Sequence, residues 1–580
     1  MIDIATFFEA AIVADRLAAP DSVGDILRRA ASGNQEVVLI DRDLAERRMP
    51  YRELAERAER AAVALQASGI QPGDRICLLS PTSVDLLTAL FGTWLAGAVP
   101  VVLSLPRPRS DMNEYLRECE RRAQQAGARM ILVADDLLPF LPPEGLGVAI
   151  RPLSLSGRGA DGAIRPSHRR FRPPSIGAGD LAFLQFTSGS TGRSRAVALT
   201  HGQMLSNIAA ISAALNLGDC WISWLPLFHD MGLNIMLLAI ANNMRLVLAP
   251  TEEFLSRPGC WLEAVSHYRG TITVAPNFAY GLATRDLRAN PGRPLDLSSL
   301  RVVGNGAEAV DAGTMAEFAA HAARYGMAPE AICPMYGLAE ATLAVSMSRD
   351  GEPMRELIVA RDELGPGATV RVCASGDADG RRLVSCGRPI PGVEVQVRFG
   401  DYDAGPGKVG EICVRGPANM LGYLHETEAT ADVLRDGWLR TGDLGFIDGG
   451  EVFICGRIKD MIIVGGRNLY PEEYEQETAQ VPGIRRGNAI AFGLDHEERM
   501  VVVAESATAS GSDVEHVAQA AMRRLRQRLP EAPEEVVLVP KGTLPKTSSG
   551  KLQRRLCKQR YGEGKLPVLA VAGRARALAA

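Results

Sequence analysis

Four short stretches carry residue types whose spacing could do chemistry. The first is Thr187-Ser188-Gly189-Ser190-Thr191-Gly192, placed directly after the apolar run Leu181 to Phe186. Four hydroxyls and two glycines leave backbone amides free to wrap a phosphate, and the glycines allow close approach. It is not a Walker loop, because no GxxxxGK[ST] occurs. The second is Thr441-Gly442-Asp443 followed by Gly456-Arg457-Ile458-Lys459-Asp460. An Asp at a strand end can take two ribose hydroxyls, and a nearby Arg can hold a phosphate. Standing alone, they would read equally well as a turn and a surface ion pair. The third is Tyr336-Gly337-Leu338-Ala339-Glu340, offering an aromatic face for a base and a carboxylate for Mg²⁺. The fourth is Lys546-Thr547-Ser548-Ser549-Gly550-Lys551, where a lysine on a glycine loop can neutralise charge on a carboxylate or α-phosphate. Two matches are discounted. Gly405 to Gly410 fits GxGxxG but leads into a strand, and Ser548 to Lys551 fits SxxK without its companion motifs.

The elements that must position these stretches follow from patterning. Residues 51–69 have helical spacing with Gly69 as a stop. Residues 76–79 and 99–103 read as short buried strands around a helix, an alternation that predicts a largely parallel sheet. Residues 151–180 read as an exposed connector. Thr200 and Gln203 form a capping box that opens a helix, and Ser512 with Glu515 caps another, whose Val514, Val517, Ala521 and Leu525 share a face. Between 300 and 460 lie short strands with tight glycine turns, among them RVVGNG, GEICVRG and EVFICGR. Beyond a glycine-rich stretch near 459–470 lies a smaller α/β segment, and the tail after Tyr561 is expected to lack structure.

Bulk properties exclude several classes. A chain of 580 residues is expected to form two or more domains. With 46% hydrophobic and 23% charged residues it reads as a globular protein. A net charge of −4 argues against a global grip on nucleic acid. The apolar stretch Phe91 to Pro106 is broken by Gly92, Gly97 and Pro100, so a buried helix–strand unit is expected and no membrane span. Ten singly scattered cysteines, without CxxC, argue against a zinc site and fit a reducing cytoplasm.

With these motifs in order from about residue 20 to 560, the chain resembles the superfamily of acyl-CoA synthetases, nonribosomal adenylation domains and luciferases. Within it the chain looks most like the fatty acyl-AMP ligases. The residues that carry this are Trp224-Leu-Pro-Leu-Phe-His-Asp-Met-Gly-Leu233, Ala275-Pro-Asn-Phe-Ala-Tyr280, Asn305-Gly-Ala-Glu308 and Tyr336 to Leu343. Arg355 to Gly387 resembles the insertion that marks those ligases and disfavours productive use of coenzyme A. The resemblance implies an α/β adenylate-forming fold. Its large N-terminal domain of several subdomains would span residues 1–458, with the insertion at 355–387. A small mobile α/β C-terminal domain would span 459–580, with the hinge near Lys459. It implies ATP and Mg²⁺, a fatty acid substrate, and a holo-acyl carrier protein or carrier domain as acyl acceptor.

The implied roles are specific. Thr187 to Gly192 would hold the ATP phosphates, Gly306, Ala307 and Tyr336 would surround the adenine, and Glu308 and Gly337 would belong to the same ATP site. Glu340 would bind Mg²⁺, Asp443 would take the ribose hydroxyls, and Arg457 would fix ribose and phosphate. Lys551 would be the catalytic lysine of adenylation. His229 would stand at the entry to the acyl pocket, with Asn277 and Phe278 in it. One departure is clear. The loop of this family usually ends in Pro-Lys-Gly, whereas this chain has Ser194-Arg195-Ala196. An ordinary acyl-CoA ligase, an aryl or small-acid ligase and a degenerate adenylate-binding protein remain alternative readings. The arginines 523, 524, 526 and 528 offer a basic face for an acidic carrier, or a merely solvated helix face.

Overall fold

The structure is a computed structural model. It describes residues 21–106, 111–142, 145–154, 171–187, 194–374, 376–377, 379–494, 498–508, 512–547 and 550–573. Short runs of Val, Ile and Leu flanked by helices give strands that are buried on both faces. Among the described residues they form a nine-stranded sheet. Its order is Arg388–Pro389, Ala344–Met347, Ile332–Gly337, Val302–Asn305, Ile272–Ala275, Cys220–Ser223, Arg245–Leu248, Glu36–Ile40 and Glu46–Pro50. The six strands from Ile332–Gly337 to Glu36–Ile40 pair in parallel throughout, and antiparallel strands close both edges. Four parallel strands, Val99–Val102, Arg75–Leu79, Ala128–Val133 and Ala149–Pro152, form a second sheet. The predicted parallel arrangement is therefore present in both.

The helix expected over 51–69 spans Tyr51–Ala67, with Gly69 at a φ of 87°. The apolar stretch from Phe91 resolves into the end of the helix Val84–Leu95 and the strand Val99–Val102. Among the described residues no helix is long and apolar enough to cross a membrane. The run after 181 becomes an antiparallel hairpin, Leu181–Thr187 with Arg195–Thr200, and Gly422–Tyr423 adds to its outer edge. Thr200 and Gln203 form the expected reciprocal cap on the helix His201–Ala214. Gly405 and Gly407 sit in a turn that leads into the strand Gly410–Arg415, as expected.

Past residue 460 the chain builds cores of its own. The strands Ile484–Leu494, Arg499–Ser506, Glu535–Val539 and Ala570–Gly573 form one sheet, against which the helix Ser512–Arg528 buries Val514, Ala521 and Leu525. The cap that Ser512 was expected to supply lies outside the described residues. One expectation is corrected here. The tail after Tyr561 is not without structure: Ala570–Gly573 pairs antiparallel with Glu535–Val539 and buries Ala570 and Ala572. Two alternating alanines are too small and too few to give a periodic signal in sequence.

His201 shows how firmly the helix Val23–Ala30 is seated. Its Nδ1 accepts the Val23 backbone N–H at 3.0 Å, and the ring is 2% exposed. Burial lowers its pKa from 6.5 to about 4, against the opposing pull of Asp180 and Asp25. The folded state therefore excludes a proton that the unfolded chain takes up. This contribution to stability is full above pH 6.5 and is lost as pH falls through about 4. Thermal unfolding followed from pH 7.5 to 4 should show a decline of up to about 3 kcal/mol from this source. His201→Gln should flatten the slope in that window.

Candidate active site

The chemistry-bearing stretches meet because parallel strands all end on one side of the sheet. Gly306, Ala307 and Glu308 follow the strand Val302–Asn305. Tyr336 and Gly337 end the strand Ile332–Gly337. Asn277 and Phe278 begin the helix after Ile272–Ala275, and His229 follows the strand Cys220–Ser223. Thr187 ends the hairpin strand, and its carbonyl accepts the Ser194 hydroxyl at 2.8 Å across the loop base. Ser188, Gly189, Ser190, Thr191 and Gly192 lie outside the described residues. The hairpin is tied to the His229 segment because Gln185 Nε2 donates to the Phe228 carbonyl at 2.7 Å.

Asp443 lies in the long strand Trp438–Asp448, opposite Arg457 at the end of Glu451–Arg457. Arg457 Nε donates to its Oδ1 at 2.6 Å, and the Tyr336 hydroxyl donates to Oδ2 at 2.8 Å. Asp443 is 6% exposed, so both donors answer a real desolvation cost. Burial and the adjacent carboxylate raise the Tyr336 pKa well above its ordinary value, so the phenol keeps its proton. The Asp443 charge likewise raises the Arg457 pKa.

Glu340 sits in a tight turn, Ala339–Ala341. That turn is closed by Leu338 N–H donating to the Leu343 carbonyl at 2.9 Å. A Cβ on Gly337 would stand 1.8 Å from that carbonyl, so only glycine fits there. Thr342, wholly buried at a φ of 68°, bends the turn back and donates its hydroxyl to the Ala418 carbonyl at 2.7 Å. A β-branched residue in the left-handed region is strained, and here it sets the direction of Glu340. Glu340 Oε1 accepts the Tyr423 hydroxyl at 2.9 Å.

His229 caps the helix Asp230–Ala241, and its Nδ1 lies 2.6 Å from Asp230 Oδ1. Burial alone would raise the Asp230 carboxyl, but His229, Lys551 and the Met231 N–H hold it down to about 2. A Cβ on Gly232 would stand 2.2 Å from the Pro226 carbonyl, which fixes how closely this helix start folds over the segment. Glu308 Oε1 accepts the Phe278 backbone N–H at 3.0 Å. Burial raises the Glu308 carboxyl above its usual range, while that bond and Lys551 pull the other way. Asn277 Oδ1 accepts from Asn305 Nδ2 at 3.1 Å and from Asp311 N–H at 3.2 Å, so it fastens helix to strand. Phe278 packs edge-on to Trp224, which stacks on Phe254.

Lys551 approaches from the C-terminal segment. Its backbone N–H donates to Thr547 Oγ1 at 3.1 Å, and Gly550, at a φ of 89°, faces the Phe278 ring. Its ammonium acts on both Asp230 and Glu308. Three residues on, Arg554 is held by Asp460 at 2.9 Å, Glu475 at 2.8 Å and Glu472 at 3.4 Å. Lys459 lies in the turn Ile458–Asp460, where loss of hydration and the neighbouring Arg457 lower its pKa.

The AMP-binding enzyme family matches residues 27–424. This chain belongs to that family. Among relatives of this AMP-binding enzyme is the medium-chain-fatty-acid–[acyl-carrier-protein] ligase JamA of Moorena producens, 35% identical over 89% of this chain and 90% of that one. Another is the long-chain-fatty-acid–AMP ligase FadD32 of Mycolicibacterium smegmatis, 30% identical over 91% of each. A solved structure from studies of fatty acyl-adenylate ligases of E. coli and L. pneumophila superposes with a TM-score of 0.87. It is 30% identical and covers 95% of this chain and 99% of that one. The fold is thus the adenylate-forming α/β fold that the motifs implied.

Three residues around this candidate site went unassigned in the sequence. Asp230 stood beside His229 in a quoted motif without a role. Tyr423 lies in a two-residue strand, and Thr342 shows itself only by its backbone angle. Tyr336→Phe should cost about 1.5–3 kcal/mol in urea denaturation of the nucleotide-free protein, because a buried carboxylate oxygen loses its donor. An unchanged midpoint would show that Arg457 alone satisfies Asp443.

Proposed function

We propose that this enzyme activates a fatty acid with ATP, forming acyl-adenylate and pyrophosphate, and passes the acyl group to the phosphopantetheine thiol of a separate carrier protein. The observation that carries this reading is that the loop bearing Lys551 comes against the Phe278 ring at Gly550, with the lysine's charge acting on Asp230 and Glu308, beside the pair Asp443–Arg457. A cation on a loop from the C-terminal segment there faces the junction between a nucleotide and an acyl substrate. In the first step a carboxylate oxygen bonds to the α-phosphorus and the bond to pyrophosphate breaks. Lys551 offsets the charge crowded at that junction, and the Thr187–Gly192 loop holds the phosphates. Asp443 accepts from the ribose hydroxyls, and the terminal nitrogens of Arg457 donate to ribose or phosphate. His229, Asn277 and Phe278 bound the acyl entry.

Among the described residues no cluster of three metal-ligating side chains occurs. That fits a Mg²⁺ held by one carboxylate and the substrate's own phosphates. Glu340 is the donor in this reading, since Tyr423 engages Oε1 and, among the described residues, Oε2 remains for the ion. When bound, the ion supplies neutralising charge on the phosphates.

In this proposal residues 1–458 form the adenylating domain and 459–580 a small domain turning at Lys459, which carries Lys551 out so that the thiol can enter. Residues 355–387 oppose that turn. Their strands Glu356–Ala360 and Gly380–Val384 share a core with Phe446, Phe453 and Tyr470. Arg361 pairs with Glu473 at 2.9 Å, and Arg381 lies over the Tyr470 ring while donating to the Cys455 carbonyl at 2.8 Å. Tyr470 and Glu473 both follow Lys459, so the segment grips the part that must rotate. The carrier would dock on exposed Arg523, Arg526 and Arg528. Arg524 is withdrawn from that face, turned in to Glu477 at 2.8 Å. The ten free thiols, nine of them buried, suit a reducing cytoplasm.

Product analysis with ATP, Mg²⁺ and a medium-chain fatty acid tests the proposal, with coenzyme A or a holo-carrier protein added separately. Acyl-AMP that accumulates, ignores coenzyme A and loads the carrier is expected, and efficient acyl-CoA synthesis would overturn the carrier reading. Lys551→Ala should slow pyrophosphate release by about 10²–10³-fold with ATP binding retained. Arg361→Ala and Glu473→Gln should each raise the acyl-CoA yield. An unchanged yield would leave the 355–387 segment without a role in acceptor choice.

A further inference from the structure

Arg195 stands directly opposite Thr187 at the base of the phosphate loop. A guanidinium there could reach toward the phosphates, yet among the described residues its contacts run to Glu426 and Tyr423. Its Nε lies 3.2 Å from Glu426 Oε2, and its guanidinium carbon sits 4.9 Å over the centre of the Tyr423 ring. Tyr423 is paired with Val197 in the same small sheet, and the Leu424 N–H donates to the Ala196 carbonyl at 2.8 Å. The Thr430 hydroxyl accepts the Tyr423 N–H at 2.9 Å, so the backbone beneath the ring is also fixed. The far end of that ring donates to Glu340 Oε1 at 2.9 Å. Arginine, aromatic ring and carboxylate thus form a continuous chain from the loop base to the proposed metal ligand.

We infer that Arg195 is a positioning residue for Glu340, acting through Tyr423, and not a phosphate ligand. The inference rests on the proposed magnesium role of Glu340. A cation held on the ring face draws density from the phenol and strengthens its O–H as a donor. That bond fixes the carboxylate's rotation and leaves Oε2 turned to the ion. Glu426 tethers the guanidinium so that it stays on the ring. The planar fork of Arg can stack on Tyr423 and hold Glu426 at once. The point charge of a lysine cannot do both, so the arginine at this position has a use of its own.

Binding of Mn²⁺ to the full-length protein tests this, read by electron paramagnetic resonance with α,β-methylene-ATP present. Nucleotide affinity is measured separately in EDTA. Glu340→Gln should abolish tight Mn²⁺ binding; if it does not, the metal reading of Glu340 fails whatever Arg195 does. Given that loss, Tyr423→Phe, Arg195→Ala and Arg195→Lys should each weaken Mn²⁺ binding by about 10-fold. Metal-free nucleotide affinity should stay unchanged in all three. The double variant Arg195→Ala/Tyr423→Phe should be no worse than Tyr423→Phe alone. The inference is overturned if Arg195→Ala lowers metal-free nucleotide affinity, if Arg195→Lys keeps wild-type Mn²⁺ affinity, or if the two losses add.

Discussion

Burying the charge of Asp443 is tolerable only because Tyr336 and Arg457 both donate to it. Those donors come from different parts of the chain. Tyr336 ends a strand of the parallel sheet, and Arg457 ends a strand of the neighbouring antiparallel one. The parallel part of the large sheet and the turn that contains Lys459 are thereby referred to one carboxylate. Lys459 and Asp460 follow Arg457 by two and three residues, so the C-terminal segment leaves the body of the protein from a point fixed by that ion pair.

Around this anchor the charges are arranged for an anionic visitor. Asp230, Glu308 and Glu340 each have a partner that sets their orientation: His229, the Phe278 N–H and the Tyr423 hydroxyl. The charge of Lys551 lowers the pKa of two of these carboxylates, Asp230 and Glu308. A triphosphate arriving here would compete with Asp230 and Glu308 for the ammonium. The site therefore starts in an internally compensated state and exchanges one set of negative partners for another.

Much of this is legible in the sequence, and the reasons are physical. The strand Leu181–Thr187 and its polar loop show in sequence because an apolar run meets a dense cluster of hydroxyls and glycines. The parallel sheet shows because its strands are short, largely apolar and spaced by helices. Tyr423 did not show, since a strand of two residues has no period. Its meaning comes from Glu340, far away in the chain, and the same distance hides Arg195 from Glu426. The inward turn of Arg524 depends on Glu477 in another helix, so the expectation of four exposed arginines retained three. The strand Ala570–Gly573 was missed because it gains its place from a neighbour's edge.

The ion cluster at Arg554 has a mechanical meaning. Its carboxylates, Asp460, Glu472 and Glu475, all follow Lys459, as does Lys551. The proposed rotation at Lys459 would leave every one of these contacts intact. The lysine would then be carried as the tip of a stiff lever whose fulcrum end is clamped by Arg554. Its travel would be set by the angle of the swing, with little lost to bending along the way.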